Sequence, residues 1–173
     1  SSINNFSASP GGKRIVFEAR GELFNVPVKE GFVVNMTQSS GAFDQNPAWS
    51  PDGNSVAYWS DQSGEYEIYM KQNIPVRKLS NRNRGFGYSL NWSPDNKKIA
   101  FVDEKNNINV IDATTGAEKI ADNYTWNIGH GGRYGYTINW SPDSKWITYS
   151  KGDDNANDAI FMYNVDEAKA YRV

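Results

Sequence analysis

The chain has 173 residues, of which 14% are aromatic, 15 are glycine and seven are proline. It has no cysteine, which excludes a disulfide framework and thiol chemistry, and it has no apolar run long enough to span a membrane. A net charge of −2 gives no electrostatic basis for binding nucleic acid or an anionic membrane, so we expect neither as a partner. At this length, a single domain can bury roughly two-thirds of the surface of its unfolded chain.

A short turn sequence occurs four times along the chain. Ser-Pro-Gly-Gly begins at Ser9, and Ser-Pro-Asp followed by Gly, Asn or Ser begins at Ser50, Ser93 and Ser141. The spacings between copies are 41, 43 and 48 residues. A period in this range is typical of repeat architectures, so each copy marks one structural repeat.

Each repeat predicts four β-strands. The stretch that leads up to the turn supplies the first strand, which ends at Trp49, Trp92 and Trp140 in the last three repeats. Three further runs follow each turn and alternate between large apolar residues and smaller ones, as the period of a strand requires. In chain order they are "RIVFEA", "ELFNVPV" and "FVVNMTQ"; "SVAYWS", "YEIYMKQ" and "VRKLSN"; "KIAFVD", "INVIDAT" and "EKIADN"; and "WITYSK", "IFMYNVD" and "KAYRV".

The chemistry of the turn predicts a hairpin between the first and second strands. Proline presets φ at the first central position, aspartate hydrogen-bonds to the nearby backbone, and Gly or Asn accepts a left-handed conformation. We therefore interpret Asp52, Asp95 and Asp143 as turn residues rather than catalytic carboxylates.

Four-stranded repeats of about this length in series are typical of the blades of a β-propeller. The sequence therefore predicts an all-β fold of four consecutive four-stranded antiparallel blades. The approximate blade boundaries are residues 1–41, 42–84, 85–132 and 133–173.

The alternation along the first strand of the second blade predicts which side chains share a face. In a regular strand, every second residue points to the same side of the sheet. This places Phe43, Gln45 and Pro47 on the face of Trp49.

The ordered motifs resemble a known family. "PAWSPDG", "YWSDQSGEYEIY", "NWSPDNKKIAFVD" and "NWSPDSKWITYSK" are similar to the repeats of TolB-type propellers and to the propeller region of tricorn protease and its bacterial homologues. The similarity covers nearly the whole chain. Gly64-Glu65-Tyr66-Glu67, after the second turn, narrows the resemblance to the tricorn-like group.

The resemblance implies a non-catalytic function. Tricorn-like enzymes carry their serine-protease chemistry in a separate carboxy-terminal part, and their propellers are similar to ports that guide peptides. It also implies a ring of more than four blades, so we expect this chain to be a partial ring whose partner is the remainder of a parent peptidase. The alternative is an independent TolB-like scaffold that binds proteins or carbohydrates. Because bacterial relatives are usually exported, the resemblance implies a periplasmic or secreted location, with the cytoplasm as the alternative.

The residues themselves predict no catalytic, metal or cofactor site. A nucleophilic hydrolase needs Ser or Cys beside a base, but the only histidine is His130 and no Gly-x-Ser-x-Gly elbow occurs. A glycosidase needs two inward carboxylates, and only Asp44 is acidic in the predicted first strands. The segment 153–158 mimics the start of an EF-hand loop, but Asp158 stands where that loop needs Gly and Asn164 where it needs Glu.

Binding residues are expected in the loops at one end of the blades. The connections between blades and those between the second and third strands emerge at that end, and loops on a rigid scaffold commonly carry binding. The arginines there can hold a peptide carboxylate through bidentate hydrogen bonds, and the aromatic residues, with Phe86, can pack peptide side chains. Solvated arginines and aromatic residues of the blade cores are the alternative interpretation. The candidate ligand-binding residues are Arg82, Arg84, Trp126, His130, Arg133 and Tyr134.

Blades shaped for a wider ring predict self-association. Four such blades would leave two outer sheet faces exposed, and apolar surface of that size favours association. We therefore expect a homodimer or another self-associated form, in addition to a peptide or protein ligand.

Overall fold

The computed structural model describes residues 3, 5–72, 75–123, 132–133, 135–152 and 157–173. The chain divides into two compact units, Ser1–Phe86 and Gly87–Val173, which we term the N-terminal and C-terminal units. Each unit contains two four-stranded antiparallel sheets. The predicted all-β fold of consecutive four-stranded blades is confirmed.

The N-terminal unit contains the sheets β1–β4 and β5–β8. Each strand pairs with its neighbours in sequence, so each sheet is a simple meander. The strands are β1 (Phe6–Ala8), β2 (Arg14–Ala19), β3 (Glu22–Pro27), β4 (Val34–Asn35), β5 (Asp44–Trp49), β6 (Val56–Ser60), β7 (Glu67–Lys71) and β8 (Val76–Lys78).

The C-terminal unit contains the sheets β9–β12 and β13–β16, with the same meander order. Within the described part of the chain, no helix has the length and apolar character that crossing a membrane requires. The strands are β9 (Asn91–Trp92), β10 (Lys98–Val102), β11 (Asn107–Asp112), β12 (Glu118–Asn123), β13 (Asn139–Trp140), β14 (Trp146–Gly152), β15 (Asp158–Asn164) and β16 (Lys169–Arg172).

The Ser-Pro-Asp turns adopt the predicted hairpin geometry. In the second copy, the N–H of Gly53 donates to the carbonyl oxygen of Ser50 at 2.9 Å, and the φ of Gly53 is 73°. The Ser50 hydroxyl and the Asn54 N–H both donate to Oδ1 of Asp52, at 2.5 and 3.0 Å. Corresponding hydrogen bonds occur in the third and fourth copies. The aspartates of these copies are therefore turn residues, as predicted.

Hydrogen bonding lowers the pKa of the turn aspartates. For Asp52 the largest cause is the hydroxyl of Ser50. For Asp95 burial opposes the shift, but the hydrogen bonds from Ser93 and Lys97 outweigh it and the pKa is lowered. A lowered folded-state pKa stabilises the fold above the unfolded-state pKa of about 3.9, and this stabilisation is lost as the pH falls through the folded-state pKa.

Each unit has a hydrophobic core built from both of its sheets. Side chains of one sheet cover the apolar face of the next, as stacked blades require. In the N-terminal unit the core contains Val16, Leu23, Met36, Val56, Tyr58 and Tyr69, with Trp49 packed against it. In the C-terminal unit it contains Ala100, Ile108, Val110, Ile138, Ile147, Tyr149 and Tyr163.

A β-bulge in β5 makes the prediction for its faces wrong. Gln45 pairs with Trp59, but the next registered pair is Ala48 with Ala57, so two residues on β5 oppose one on β6. Within the bulge, Asn46 has a φ of 51°, a left-handed conformation. The extra residue reverses the alternation, so Gln45 lies on the face opposite Trp49.

A buried carboxylate fixes the segment that follows β8. Glu67, in β7, is fully buried. Its carboxylate oxygens accept hydrogen bonds from the backbone N–H groups of Arg82 at 2.7 and 2.8 Å and of Asn83 at 3.0 Å, and from the hydroxyl of Ser80. The conformation of this connection is therefore set by one side chain that contacts mainly backbone.

We predict that replacing Asp52, Asp95 and Asp143 together by Asn flattens the acid dependence of stability. Asn keeps an oxygen acceptor for the turn but carries no charge, so the variant lacks the stabilisation that the wild type loses below about pH 4. Urea unfolding at neutral pH and at about pH 3, followed by Trp fluorescence, measures the difference. An equal loss of stability in both proteins would contradict a contribution from these carboxylates.

We predict that Glu67→Gln destabilises the fold by roughly 2–4 kcal/mol. The substitution removes one acceptor oxygen and sets an NH₂ group against backbone N–H donors. Urea unfolding gives the free energy, and the amide NMR shifts of Arg82 and Asn83 report the change in the connection. Glu65→Gln, at an exposed position in the same hairpin, is the matched control and should leave both unchanged. Equal stability of the two variants would overturn the prediction.

Candidate functional site

Three connections of the N-terminal unit meet at one end of its sheets. They are the segment before β5, the β6–β7 hairpin and the segment after β8. The Phe43 N–H donates to Oδ1 of Asp61 at 2.8 Å, and Nε2 of Gln45 donates to the Tyr66 hydroxyl at 2.7 Å, which joins the first segment to the hairpin. Glu67 joins the hairpin to the third segment. This is the end at which the sequence predicts binding loops.

Arg82 lies inside this loop end. Only 7% of the residue is exposed, and its Cζ lies 5.5 Å from the centroid of the Trp59 ring, within the range of a cation–π contact. Its backbone N–H donates to Glu67. Arg84, two residues later, is exposed. The structure therefore places Arg82 beneath the loop surface and leaves Arg84 accessible to a ligand.

Aromatic rings support the same loop end. The centroid of Phe86 lies 5.9 Å from that of Trp59 and 5.1 Å from that of Tyr66, the latter in an edge-to-face arrangement. Trp59 is fully buried, whereas Phe86 and Tyr66 are half-buried. These three residues form what we term the aromatic patch. The sequence pointed to Phe86 but not to the other two, because they occur in runs that are typical of strands.

Arg133, in the C-terminal unit, is fixed by polar contacts. Its Nε donates to Oδ1 of Asn106 at 2.7 Å, its Nη1 donates to the hydroxyl of Tyr88 at 3.2 Å, and its Cζ lies 5.7 Å from the centroid of the Tyr88 ring. Nη2 has no hydrogen-bond partner among the described residues. Because the guanidinium is a rigid planar group, these two hydrogen bonds also set the direction of its remaining N–H donors before any ligand binds. Arg133 is only half-buried.

A polar network that the sequence did not single out lies between β12 and β14. Oδ1 of Asp122 is 2.8 Å from Nζ of Lys151, and Oδ2 accepts the hydroxyl of Tyr149 at 2.6 Å. Nζ of Lys151 also lies 4.5 Å from the centroid of the Phe161 ring. Burial, followed by the hydrogen bond to Asp122, raises the pKa of Tyr149. The phenol is therefore a neutral donor, and the network holds two strands together.

Asp44 is buried out of reach of a ligand. It is fully buried, and its Oδ2 accepts a hydrogen bond from the hydroxyl of Ser39, while Oδ1 has no hydrogen-bond partner among the residues that the structure describes. Within the described ranges, no group of three or more His, Cys, Asp or Glu side chains is arranged to hold a metal ion.

Three of the six predicted binding residues are described by the structure: Arg82, Arg84 and Arg133. The first two belong to the N-terminal unit and the third to the C-terminal unit. Trp126, His130 and Tyr134 lie outside the described residues, as does most of the segment 153–158. Binding by these residues stays a prediction.

Comparison with known proteins identifies relatives of the fold. The chain is 27% identical over 121 residues to dipeptidyl-peptidase 5 of Porphyromonas gingivalis (strain ATCC 33277). The aligned region covers 59% of this chain and 18% of that protein. The solved tricorn protease matches with a TM-score of 0.78 at 17% identity, covering 98% of this chain and 16% of that one. TolB from Acinetobacter baumannii matches with a TM-score of 0.71 at 23% identity, covering 97% and 42%. The chain thus spans less than a fifth of the curated relative, and the structural matches show the fold.

A family model supplies the more specific assignment. The model of the tricorn protease second beta propeller domain matches residues 3–173. This match, together with the four meander sheets, confirms the resemblance that the turn motifs indicate. The chain belongs to the family of tricorn protease second β-propeller domains.

Proposed function

We propose that this propeller is the non-catalytic part of a tricorn-like serine peptidase and that it docks peptides through their carboxyl termini. The chain spans only a small part of its relatives, so its membership in a whole serine peptidase is itself part of what we propose. The remainder of the peptidase is then its covalent partner. The proposal includes a periplasmic or secreted location, as for exported relatives of this type.

The arrangement of Arg133 carries the proposal. Its contacts with Asn106 and Tyr88 restrict a side chain that otherwise loses much conformational entropy on binding. The donors that remain on Nη2 match the acceptor geometry of a carboxylate. A peptide carboxyl terminus presents that group without dependence on the peptide sequence, as a port for many peptides requires.

The loop end of the N-terminal unit gives separate support for peptide docking, independent of Arg133. Arg84 is exposed there, in the connection that Glu67 holds in place. Phe86, two residues after Arg84, has a half-buried ring that contacts the half-buried ring of Tyr66. A charged group beside apolar rings suits a peptide that has a carboxylate and an apolar side chain.

Self-association is a second proposal, and it depends on the outer face of the first sheet. The strand register aligns Phe6, Phe17 and Phe24 across β1, β2 and β3. The rings of Phe17 and Phe24 stack at 5.8 Å, and Phe6 is 70% exposed. We propose that a second copy of this chain covers the face, because it offers the same apolar surface.

We predict that Arg133→Gln weakens peptide binding roughly tenfold or more. The probe is a mixture of hexapeptides with free carboxyl termini, compared with the same peptides carrying carboxy-terminal amides, in NMR titrations of the chain. Amidation should weaken binding to the wild type by a similar factor and should have no further effect on the variant, because both changes remove the same contact.

Arg77→Gln, at an exposed position in β8, is the matched control and should bind like the wild type. If amidation has no effect on the wild type, the proposed carboxylate contact is refuted. If peptides fail to bind while folded protein domains or oligosaccharides bind, the TolB-like scaffold replaces the peptide port.

We predict that light scattering on a sizing column shows twice the mass of one chain and that Phe6→Ser shifts this species to the monomer. The substitution removes the most exposed ring of the outer face without entering a core. Phe32→Ser, in the β3–β4 loop, is the control and should remain dimeric. A wild type that is monomeric at all concentrations tested, or a Phe6→Ser variant that remains dimeric, would refute the interface.

A further inference from the structure

The C-terminal unit contains a cavity of about 250 Å³ that the proposed docking role does not use. It is lined by the β11–β12 hairpin and its flanking strands, by Lys98 of β10, and by Tyr163 and Val165 at the end of β15. In a meander, this hairpin lies at the opposite end of β11 from the β10–β11 hairpin that contains Asn106. The cavity is therefore separate from the Arg133 site.

The walls of the cavity are largely apolar. Val110, Ala117 and Val165 line it together with the ring of Tyr163. Val110 and Tyr163 belong to the hydrophobic core of this unit and are almost fully buried. The volume corresponds to about eight water molecules at roughly 30 Å³ each, which is enough for a ligand of on the order of ten non-hydrogen atoms.

Two hydrogen-bond donors of the cavity have no acceptor within the described part of the chain. Tyr163 is only 3% exposed, and its hydroxyl has no hydrogen-bond partner among the described residues. The ammonium group of Lys119, on β12, is exposed and forms no ion pair with a described residue. Burial raises the pKa of Tyr163, so its hydroxyl is a neutral donor at ordinary pH. A ligand oxygen that accepts from this hydroxyl and from Lys119 would engage two donors that have no acceptor among the described residues.

The acceptors of the cavity are already engaged. The carboxylate of Asp112 accepts the backbone N–H groups of Thr114 and Thr115 at 2.9 and 2.7 Å. These bonds lower its pKa, and the nearby charge of Lys98 lowers it further. Glu118 also has an interaction partner within the fold. The polar groups that remain for a ligand are therefore donors.

Because the cavity combines an apolar lining with hydrogen-bond donors on Tyr163 and Lys119, we propose that it binds a small organic anion with an apolar body, such as a branched-chain monocarboxylate. The carboxylate accepts hydrogen bonds from the Tyr163 hydroxyl and the Lys119 ammonium group. The apolar body packs on Val110 and Val165.

The test is an NMR titration of the chain with 4-methylpentanoate, with 4-methylpentanamide as the neutral isostere. We expect saturable shifts at residues 110–119 and 163–165, with the carboxylate binding about tenfold more tightly than the amide. Tyr163→Phe and Lys119→Gln should each weaken carboxylate binding about fivefold or more while the amide is affected less. Lys105→Gln, an exposed lysine in the β10–β11 hairpin, is the matched control and should leave binding unchanged.

Three outcomes would overturn the proposal: no saturable shifts at these residues, equal affinity for the carboxylate and the amide, or unchanged affinity in the folded Tyr163→Phe variant. The peptide titrations that address Arg133 are read from different residues. A failure at either site is therefore distinguishable from a failure at the other.

Discussion

The structure depends on the burial of apolar sheet faces against one another. Removing the apolar side chains of a sheet face from water is what stabilises the stacked sheets. In β6, every residue from Val56 to Ser60 is buried, whereas β2 buries Val16 on one face and leaves Phe17 half-exposed on the other. Strands at equivalent positions in a repeat thus differ in burial. The same requirement explains why the two sheets within each unit share one hydrophobic core.

The sequence predicted the repeats and the turns because their causes are local. Pro, Asp and Gly set the backbone of the second turn within four residues, and the hydrogen bonds of Ser50 and Asp52 lie inside that segment. The alternation after each turn then predicts the following strands. The order of the strands in each sheet needed no further information, since each strand pairs with the next one along the chain.

The bulge in β5 could not be predicted from alternation. A single extra residue at Asn46 or Pro47 reverses the two faces, and the composition of the strand is compatible with either register. The sequence also could not show that Asp44 is fully buried beside Ser39. Both facts depend on how β5 pairs with β6 and on what covers the sheet.

The sequence likewise could not predict the environments of Arg82 and Arg133. Arg82 and Arg133 both occur in polar, glycine-containing segments, and both were candidates to bind a carboxylate. Arg82 is buried because Trp59 and Glu67, 23 and 15 residues away in sequence, hold it. Among the described residues, the contacts of Arg133 lie 27 and 45 residues away and occupy Nε and Nη1, which leaves Nη2 without an acceptor there. The role of each guanidinium is thus set by long-range contacts.

The way in which Glu67 holds its connection has a consequence for divergence within the family. Its carboxylate bonds to the backbone N–H groups of residues 82 and 83, which any residue except proline supplies. The hydrogen bonds that fix this path are therefore independent of the side chains at positions 84 and 86, whereas Asn83 and Gly85 have left-handed φ values of 48° and 79° that restrict the residue type. Mutations at positions 84 and 86 can alter what the loop recognises while its conformation is retained, so new specificities can arise without refolding the scaffold.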